Sequence, residues 1–595
     1  MMSQMKLMFV VLLLTAIVCI VPQAQAAKPT VEVTIAGSSA LWQTLALGAY
    51  NLAGAGAGHW TSASNVVNLT DSRVTPVNND AGTVWVVWNK AATKVWSFNK
   101  VDSVVGDRCY FAQPHCSVNA TEANLTGTGA NQISSTLWGD GSSDTALPAA
   151  VLSLFTTGTP VTVAATDIRP EDAAFAVCRS NSALGAGSAG GSASDGLDGL
   201  GYNSNNAPGV CPAAGLSQAN YEGNPIKSGY PASTGQANVL SFNITGNDPI
   251  TGTAIPAYTV ERLGASPIVF IDQRVSQLAG ATNATDKELQ QVFSGADCNG
   301  SEIGGAGGAI EVFLREPLSG TYNTAEATVF RKPTVYPGAI LGVSQETGVD
   351  APVNNPLANL ACASGGGGRA RAIGTSEEVK SVLNTGAHYS RDGIGYTFFS
   401  YGNVTSIANS SSYGYIQLNG VDPIFASYSG GDPGEPGGGT LPAAANLPAS
   451  CSESFPCPES DIWTGGLSFP NLRNGDYWAW SLLRLVSNGT PLGAANALIK
   501  HSQGFVVTSV PDYVPAAKTT SGGITDPGLT KQRSHYQQYD GAGKLLGAAP
   551  VNSPSAKEEG GDMGGFIVPV SGKGATTTQE VDADIPNHAT RPTTP

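Results

Sequence analysis

Charged side chains are scarce in this sequence of 595 residues, since Asp, Glu, Lys and Arg make up 13% of it, against about 25% in ordinary soluble proteins. The charge that is present is mainly acidic, with a formal net charge of −15 at pH 7. Nucleic acids and acidic membrane surfaces bind basic footprints, so the composition argues against both as partners. A small anion stays open, because helix dipoles and one arginine can hold it locally.

Motifs for catalysis and metal binding are also missing. The six histidines are scattered, without His-x-His or His-Glu-x-x-His spacing, and there is no Cys-x-x-Cys and no Gly-x-Ser-x-Gly. These absences argue against a metal centre and a serine hydrolase. We therefore expect no catalytic residues, no metal and no cofactor.

Long apolar runs are absent except at the start of the chain. Residues 7–21 are almost wholly apolar, Lys6 precedes them, and Ala24-Gln25-Ala26 matches a cleavage site. This pattern predicts a secretory signal over 1–26 and an exported protein, periplasmic or extracellular, that does not span a membrane.

Cysteine is sufficient for a set of disulfide bonds. Loss of Cys19 with the signal leaves eight of the nine cysteines, and an even number in an exported chain predicts disulfides. Eight cysteines allow many connectivities. One of these joins sequence neighbours: 109–116, 178–211, 298–362 and 451–457.

Strand and helix signals alternate along the chain, which predicts an α/β fold with a largely parallel sheet. Apolar or alternating runs predict strands over 31–35, 84–87, 94–98, 161–165, 267–271, 310–314, 393–399 and 415–421. Apolar residues at helical spacing, several after capping boxes, predict helices over 40–52, 285–295, 322–330, 375–383 and 476–486.

The turn between the strand 310–314 and the next helix is the first candidate site. Arg315 stands at the strand end, and Ser319-Gly320-Thr321 opens the helix. Free N–H groups at a helix start attract anions, Gly320 lets the backbone approach a ligand, and Arg315 suits a tetrahedral oxyanion. The alternative is an ordinary capped turn with a surface arginine.

Two other strand ends offer similar groups. Gly37-Ser38-Ser39 separates the first strand from the first helix, and Asp167 follows the strand 161–165. Ligand groups of open α/β sheets occur at such carboxyl ends. A plain capped turn remains the alternative at both places.

The order of these elements resembles that of the phosphate-binding proteins of bacterial ABC transporters, which have the type 2 periplasmic-binding-protein fold. The resemblance covers roughly residues 31–500 and rests on four motifs. They are Gly37-Ser38-Ser39-Ala40, Val292-Phe293-Ser294-Gly295, Arg-x-x-x-Ser-Gly-Thr at Arg315, Ser319, Gly320 and Thr321, and Ile394-Gly395-Tyr396.

The resemblance implies a two-lobed fold with a hinge, loop-rich insertions and a C-terminal extension. The first lobe would comprise 27–258 and 411–510, the second 259–410, and the extension 511–595, with its last part disordered. Phosphate would contact Arg315, Ser319, Gly320 and Thr321 of the second lobe. From the first lobe it would contact Asp167, Ser103 and the backbone of Ser38, Ser39, Ala40 and Leu41.

This chain departs from the family pattern in three places. Ala40 stands where many members have threonine, Asp107 and Arg108 replace part of a small-residue run, and Thr166-Asp167 replaces Ser-Asp. The leading hypothesis is an exported, non-catalytic protein that binds inorganic phosphate, with an ABC permease or another cell-envelope component as partner. The alternatives are an extracellular phosphatase and a surface or adhesion module that retains the fold.

Overall fold

The structure describes part of the chain, and several predicted features lie outside that part. A computed structural model of the chain describes residues 28–73, 78–168, 170, 173, 242–244, 246–315, 319–330, 359–372, 374–375, 378–383, 390–399, 413–424, 469, 471–472, 477, 479–508, 512–516, 519–521 and 524–526. The predicted signal, the end of the C-terminal extension and the cysteine pairs 178–211 and 451–457 lie outside these ranges. Among the described helices, none has the length and apolar character needed to cross a membrane.

Nineteen strands are assigned in the described ranges. They are β1 (Thr30–Ser38), β2 (Gly58–Thr61), β3 (Val67–Asp71), β4 (Asn78–Trp88), β5 (Lys94–Val101), β6 (Ser117–Asn119), β7 (Thr159–Pro160), β8 (Val163–Thr166), β9 (Thr259–Gln273), β10 (Asn283–Ala284), β11 (Glu311–Arg315), β12 (Asn359–Ala361), β13 (Gly368–Ala372), β14 (Gly393–Phe398), β15 (Tyr413–Leu418), β16 (Trp480–Ser487), β17 (Val514–Pro515), β18 (Thr519–Ser521) and β19 (Ile524–Asp526).

Helices accompany these strands along the chain. The α-helices are α1 (Ser39–Ala53), α2 (Ser103–Phe111), α3 (Glu122–Leu125), α4 (Ser135–Trp138), α5 (Ala149–Thr157), α6 (Asp286–Ser294), α7 (Gly320–Ala325) and α8 (Gly489–Thr508). A 3₁₀ turn covers Gly300–Ile303, a π turn covers Glu326–Phe330, and residues 378–383 are also helical.

The first sheet has a parallel centre and antiparallel flanks. Strand β1 runs parallel to β5 on one side and to β8 on the other. Strand β4 is antiparallel to β5, and β16 is antiparallel to β8 and β9. The prediction of a largely parallel sheet was therefore wrong for the flanks, because the short link from β4 to β5 permits only an antiparallel pair.

The second sheet is built in the same way around β11. Strands β13 and β14 both run parallel to β11, whereas β14 and β15 are antiparallel to β9. Each sheet thus contains a small set of parallel strands whose carboxyl ends share one edge.

Strand β9 belongs to both sheets and joins the two lobes. Its first half pairs with β16 as far as Pro267, and from Ile268 onward it pairs with β14. Proline has no N–H for a continuous ladder, which suits the point where the partner strand changes. The α/β architecture with two lobes is confirmed. The exact lobe boundaries stay a prediction; β15, which we had expected in the first lobe, pairs in the second sheet.

Alternating apolar residues give the first sheet a core on each face. Val84 and Val86 of β4 pack in the core that contains α2 and α5, whereas Trp85 and Val87 pack in the core that contains α1 and α8. In the second sheet, Phe313 of β11 points away from the core that α6 and α7 cover. The predicted capping box of α6 is confirmed, with Thr285 and Glu288 bonded reciprocally.

The helix predicted over 476–486 is wrong, because Trp480–Ser487 forms strand β16. All eight of its residues are buried; the strand lies between β8 and β9, and its apolar side chains enter three hydrophobic cores. A strand buried on both faces lacks the polar–apolar alternation of an exposed strand, so its apolar run resembled a packed helix.

Two of the predicted cysteine pairs are disulfide bonds. Cys109 is bonded to Cys116, and Cys298 is bonded to Cys362. The first closes the turn after α2, and the second ties the segment before β11 to the segment before β13.

Candidate functional site

The candidate site lies where parallel strands of both lobes end. In the first sheet, Ser38 of β1 is level with Val101 of β5, and Gly37 is level with Ala165 of β8. The residues that follow these strands, among them Ser103 and Asp167, therefore meet at one edge of the sheet. This is the edge at which open α/β sheets hold their ligands.

Asp167 is the centre of the first lobe's contribution and is almost completely buried, with 1% of its surface exposed. The hydroxyl of Ser38 donates to Asp167 Oδ2 at 3.0 Å, and the hydroxyl of Ser103 donates to Oδ1. Burial raises the pKa of Asp167, while the two serine hydroxyls and the charge of Arg315 act in the opposite direction. Burial therefore makes the ionised form of this carboxylate less favourable than that of an exposed aspartate.

Arg315 is the corresponding group of the second lobe, at the carboxyl end of β11. Its side chain is 1% exposed, and its Nη2 lies 3.5 Å from Asp102 Oδ1 of the first lobe. Nη1 donates to Thr375 Oγ1 at 3.0 Å and to Thr321 Oγ1 at 3.4 Å. The Arg315 backbone N–H donates to the hydroxyl of Tyr396, in the predicted Ile-Gly-Tyr strand, at 3.3 Å.

Gly320 brings the second lobe directly against Asp167. A β-carbon at this position would lie 1.5 Å from Asp167 Oδ1 and 2.6 Å from Ser103 Oγ. Any side chain there would displace the carboxylate from its hydrogen bonds or hold the lobes apart. The lobes therefore meet at this point.

Ser319 caps the N-terminus of α7 through two hydrogen bonds. Its hydroxyl accepts from the N–H of Tyr322 at 3.3 Å, and its carbonyl accepts from Asn323 Nδ2 at 2.8 Å. These bonds cap the helix, as the alternative interpretation of this turn proposed. They also fix the backbone of Gly320 and Thr321 against the first lobe.

The turn after β1 combines capping with contact across the cleft. The N–H of Ala40 donates to Ser38 Oγ at 3.1 Å, so Ser38 caps α1. Ser39 Oγ lies 2.8 Å from Thr375 Oγ1 of the other lobe, and the Leu41 side chain is buried in a core of the first sheet. The structure thus brings Ser38, Ser39, Ser103, Asp167, Arg315, Gly320 and Thr321 together, with Ser319 and Ala40 beside them. Their role in anion binding, including that of the Leu41 backbone, stays a prediction.

Sequence analysis missed Thr375 and Asp102 as residues of this site. Thr375 follows β13, whose end is level with Arg315 in the register Arg315 to Ala372. The signal was weak because β13 is short and alternates Arg with Gly and Ala, so we interpreted Thr375 only as the first residue of a capping box. Asp102 immediately precedes Ser103, and its side chain remains partly exposed.

Comparisons with known proteins give similarity to solved structures only. No protein-family model matches the chain, and no curated protein matches it. The chain is similar in structure to a human phosphate-binding apolipoprotein, with 14% identity, 84% of this chain and 91% of that chain covered, and a TM-score of 0.33. It is also similar to a phosphate-binding protein from Stenotrophomonas maltophilia, with 13% identity, 72% and 79% covered, and a TM-score of 0.29.

An ABC-type phosphate transport receptor from Vibrio cholerae is similar over a smaller part of this chain. The identity is 14%, the match covers 43% of this chain and 72% of the receptor, and the TM-score is 0.23. Because these scores are low, the architecture described above rests on the strand pairing of this chain, and the proposals below rest on its own contacts.

Proposed function

We propose that this protein binds inorganic phosphate in the cleft between its two lobes and catalyses no reaction. The observation that carries the proposal is the position of Asp167, a buried carboxylate that lies beside Ser38 and Ser103 and faces Gly320 of the other lobe. Arg315 supplies the positive charge for an oxyanion.

The carboxylate gives the proposed site its selectivity. An anion without a proton is repelled by Asp167, whereas monohydrogen or dihydrogen phosphate can donate a hydrogen bond to it. Sulfate has no proton at neutral pH. Sites built around a hydrogen bond reject ligands that cannot form it by a factor on the order of 10⁴. We therefore expect Asp167 to select phosphate over sulfate.

The test is calorimetric titration of the purified protein, stripped of bound anions by unfolding and refolding, with phosphate and with sulfate. We expect a 1:1 complex with phosphate and far weaker binding of sulfate. Absence of phosphate binding contradicts the proposal. Hydrolysis of a chromogenic phosphate ester, with and without added divalent metal, tests the non-catalytic part, and turnover that Arg315→Ala abolishes would favour the phosphatase.

We also propose that the protein is exported and passes phosphate to an ABC importer. The signal-like segment 1–26 supports export, and the bonds Cys109–Cys116 and Cys298–Cys362 are typical of an oxidising compartment. Cell fractionation tests export. Uptake of radiolabelled phosphate by cells with and without the gene tests transport, and unchanged uptake would favour the surface module.

A further inference from the structure

Thr375 connects the guanidinium of one lobe to a serine of the other. Its Oγ1 lies 3.0 Å from Arg315 Nη1 and 2.8 Å from Ser39 Oγ. Thr375 is 8% exposed, and Arg315 is 1% exposed. These three side chains therefore form a continuous hydrogen-bonded row that crosses from the second lobe to the first, with Arg315 and Thr375 buried and Ser39 half-buried.

The chemistry of the groups gives this row a direction. A guanidinium can only donate, so Thr375 Oγ1 is the acceptor of the bond from Arg315. The positive charge polarises the Thr375 hydroxyl and makes it a stronger donor. Among the described contacts of Thr375, Ser39 Oγ is an acceptor within reach, at 2.8 Å. The geometry of this pair allows either hydroxyl to be the donor, and with Thr375 as the donor the Ser39 proton remains for a further acceptor.

The other hydroxyls of the first lobe differ from Ser39 in this respect. The protons of Ser38 and Ser103 are both donated to Asp167. Ala40 has no hydroxyl. Ser39 is thus the side chain of this turn whose proton the contacts direct away from the carboxylate.

We propose that Thr375 is a positioning residue for the bound anion, which relays the charge of Arg315 to Ser39 and holds the lobes together. Ser39 donates to an oxygen of the anion because Thr375 occupies its acceptor side. This inference rests on the proposed phosphate binding. It assigns to Thr375 a role that its place in a helix cap does not require.

The experiment is titration of the full chain with inorganic phosphate for the wild type, Thr375→Val, Thr375→Ser, Ser39→Ala and the double variant Ser39→Ala/Thr375→Val. Loss of a hydrogen bond to a charged group corresponds to about a tenfold or larger change in affinity. We expect such a loss for Thr375→Val and Ser39→Ala, and recovery to within about threefold for Thr375→Ser. The double variant should bind no more weakly than either single variant.

The outcomes separate this inference from the proposed function. If the wild type binds phosphate and Thr375→Val binds it equally well, the relay is overturned while the proposed function stands. Additive losses in the double variant likewise overturn the relay. If the wild type itself binds no phosphate, the proposed function and the relay both fail. Thermal unfolding of each variant verifies that a weaker affinity does not reflect a misfolded protein.

Discussion

Two polar clusters of this protein, each built around a buried carboxylate, differ in where their members come from. The cleft cluster (Ser38, Ser103, Asp167, Arg315 and Gly320) draws on both lobes. The His59 cluster (His59, Thr61, Asn131 and Asp144) lies entirely in the first lobe. Both contain a carboxylate that is nearly inaccessible to water, so burial alone does not distinguish the proposed binding site from a structural cluster.

The partners of the two carboxylates make the distinction. Asp144 Oδ2 accepts from the backbone N–H groups of Thr61 at 2.9 Å and Asn131 at 2.8 Å, and from the Thr61 hydroxyl, while Oδ1 lies 3.0 Å from His59 Nδ1. Two of these donors are backbone N–H groups, which are fixed within one folding unit. Asp167 instead takes two rotatable hydroxyls and faces the backbone of a separate lobe. Rotatable donors on a divided surface can change partner when a ligand enters.

The largest expected effect comes from removing the carboxylate of the His59 cluster. Asp144→Ala leaves backbone and side-chain donors without their acceptor, and each costs about 1–3 kcal/mol. We expect the free energy of unfolding to fall by about 3–5 kcal/mol, measured by urea denaturation. Phosphate affinity of the folded variant should equal that of the wild type. If Asp144→Ala lost phosphate affinity without losing stability, the His59 cluster would not be the structural cluster that we infer.

Removing the cation of the cleft cluster should mainly reduce phosphate affinity, whereas removing Asp144 should mainly reduce stability. Arg315→Ala should weaken phosphate binding by about a hundredfold or more, because charge-assisted bonds to a buried anion are lost. The matched control is Lys287→Ala, which removes an exposed positive charge from the same lobe and should leave calorimetric affinity unchanged. If both variants lost the same phosphate affinity, the effect would be due to the change in net charge and not to the position of Arg315.

Changing the carboxylate of the cleft cluster should alter selectivity and pH dependence. Asp167→Asn should lower the ratio of phosphate to sulfate affinity by on the order of tenfold or more. Because burial raises the pKa of Asp167, the folded protein holds this proton more tightly than the unfolded chain. Stability without phosphate therefore falls as pH rises from the ordinary aspartate pKa through the raised value.

The asparagine variant cannot lose that proton, so this part of the pH dependence should disappear. Its thermal midpoint at neutral pH, in the absence of phosphate, should match or exceed that of the wild type. A variant that is less stable at neutral pH and retains full selectivity would contradict the assignment of Asp167.

The smallest effect is expected at the exposed margin of the His59 cluster. Burial opposes the ionisation of Asp140, but hydrogen bonds from Ser142 and Tyr50 outweigh it and lower the Asp140 pKa to about 2. The resulting stabilisation is present above the ordinary pKa and is lost as pH falls from 3.8 towards 2. Tyr50→Phe removes one donor and should reduce this acid sensitivity by less than about 1 kcal/mol. Thermal unfolding between pH 2 and 5 provides the measurement.

Local sequence features predicted much of the fold and most of the candidate site. The capping box of α6, the strand before Arg315 and the turn after β1 depend on neighbouring residues, and these signals were sufficient. The helix predicted over 476–486 was wrong because the strand Trp480–Ser487 is defined by its pairing with β8 and β9, which are far away in sequence.

Contacts between the lobes could not be predicted from local sequence patterns. Ser39 and Thr375 are separated by 336 residues, and only the register of β11 with β13 places Thr375 beside Arg315. The motif at 315–321 identified residues of the second lobe that lie against the first lobe. It contained no information about which residue of the other lobe would complete the row.

The central claim is that Asp167 and Arg315, on opposite lobes, form one site for an anion that carries a proton. The most direct measurement is competition between sulfate and phosphate for the wild type and Asp167→Asn, at neutral pH and constant ionic strength. We predict that a large excess of sulfate fails to displace phosphate from the wild type but displaces it from the variant. Equal displacement from both proteins, or no phosphate bound to either, would contradict the account.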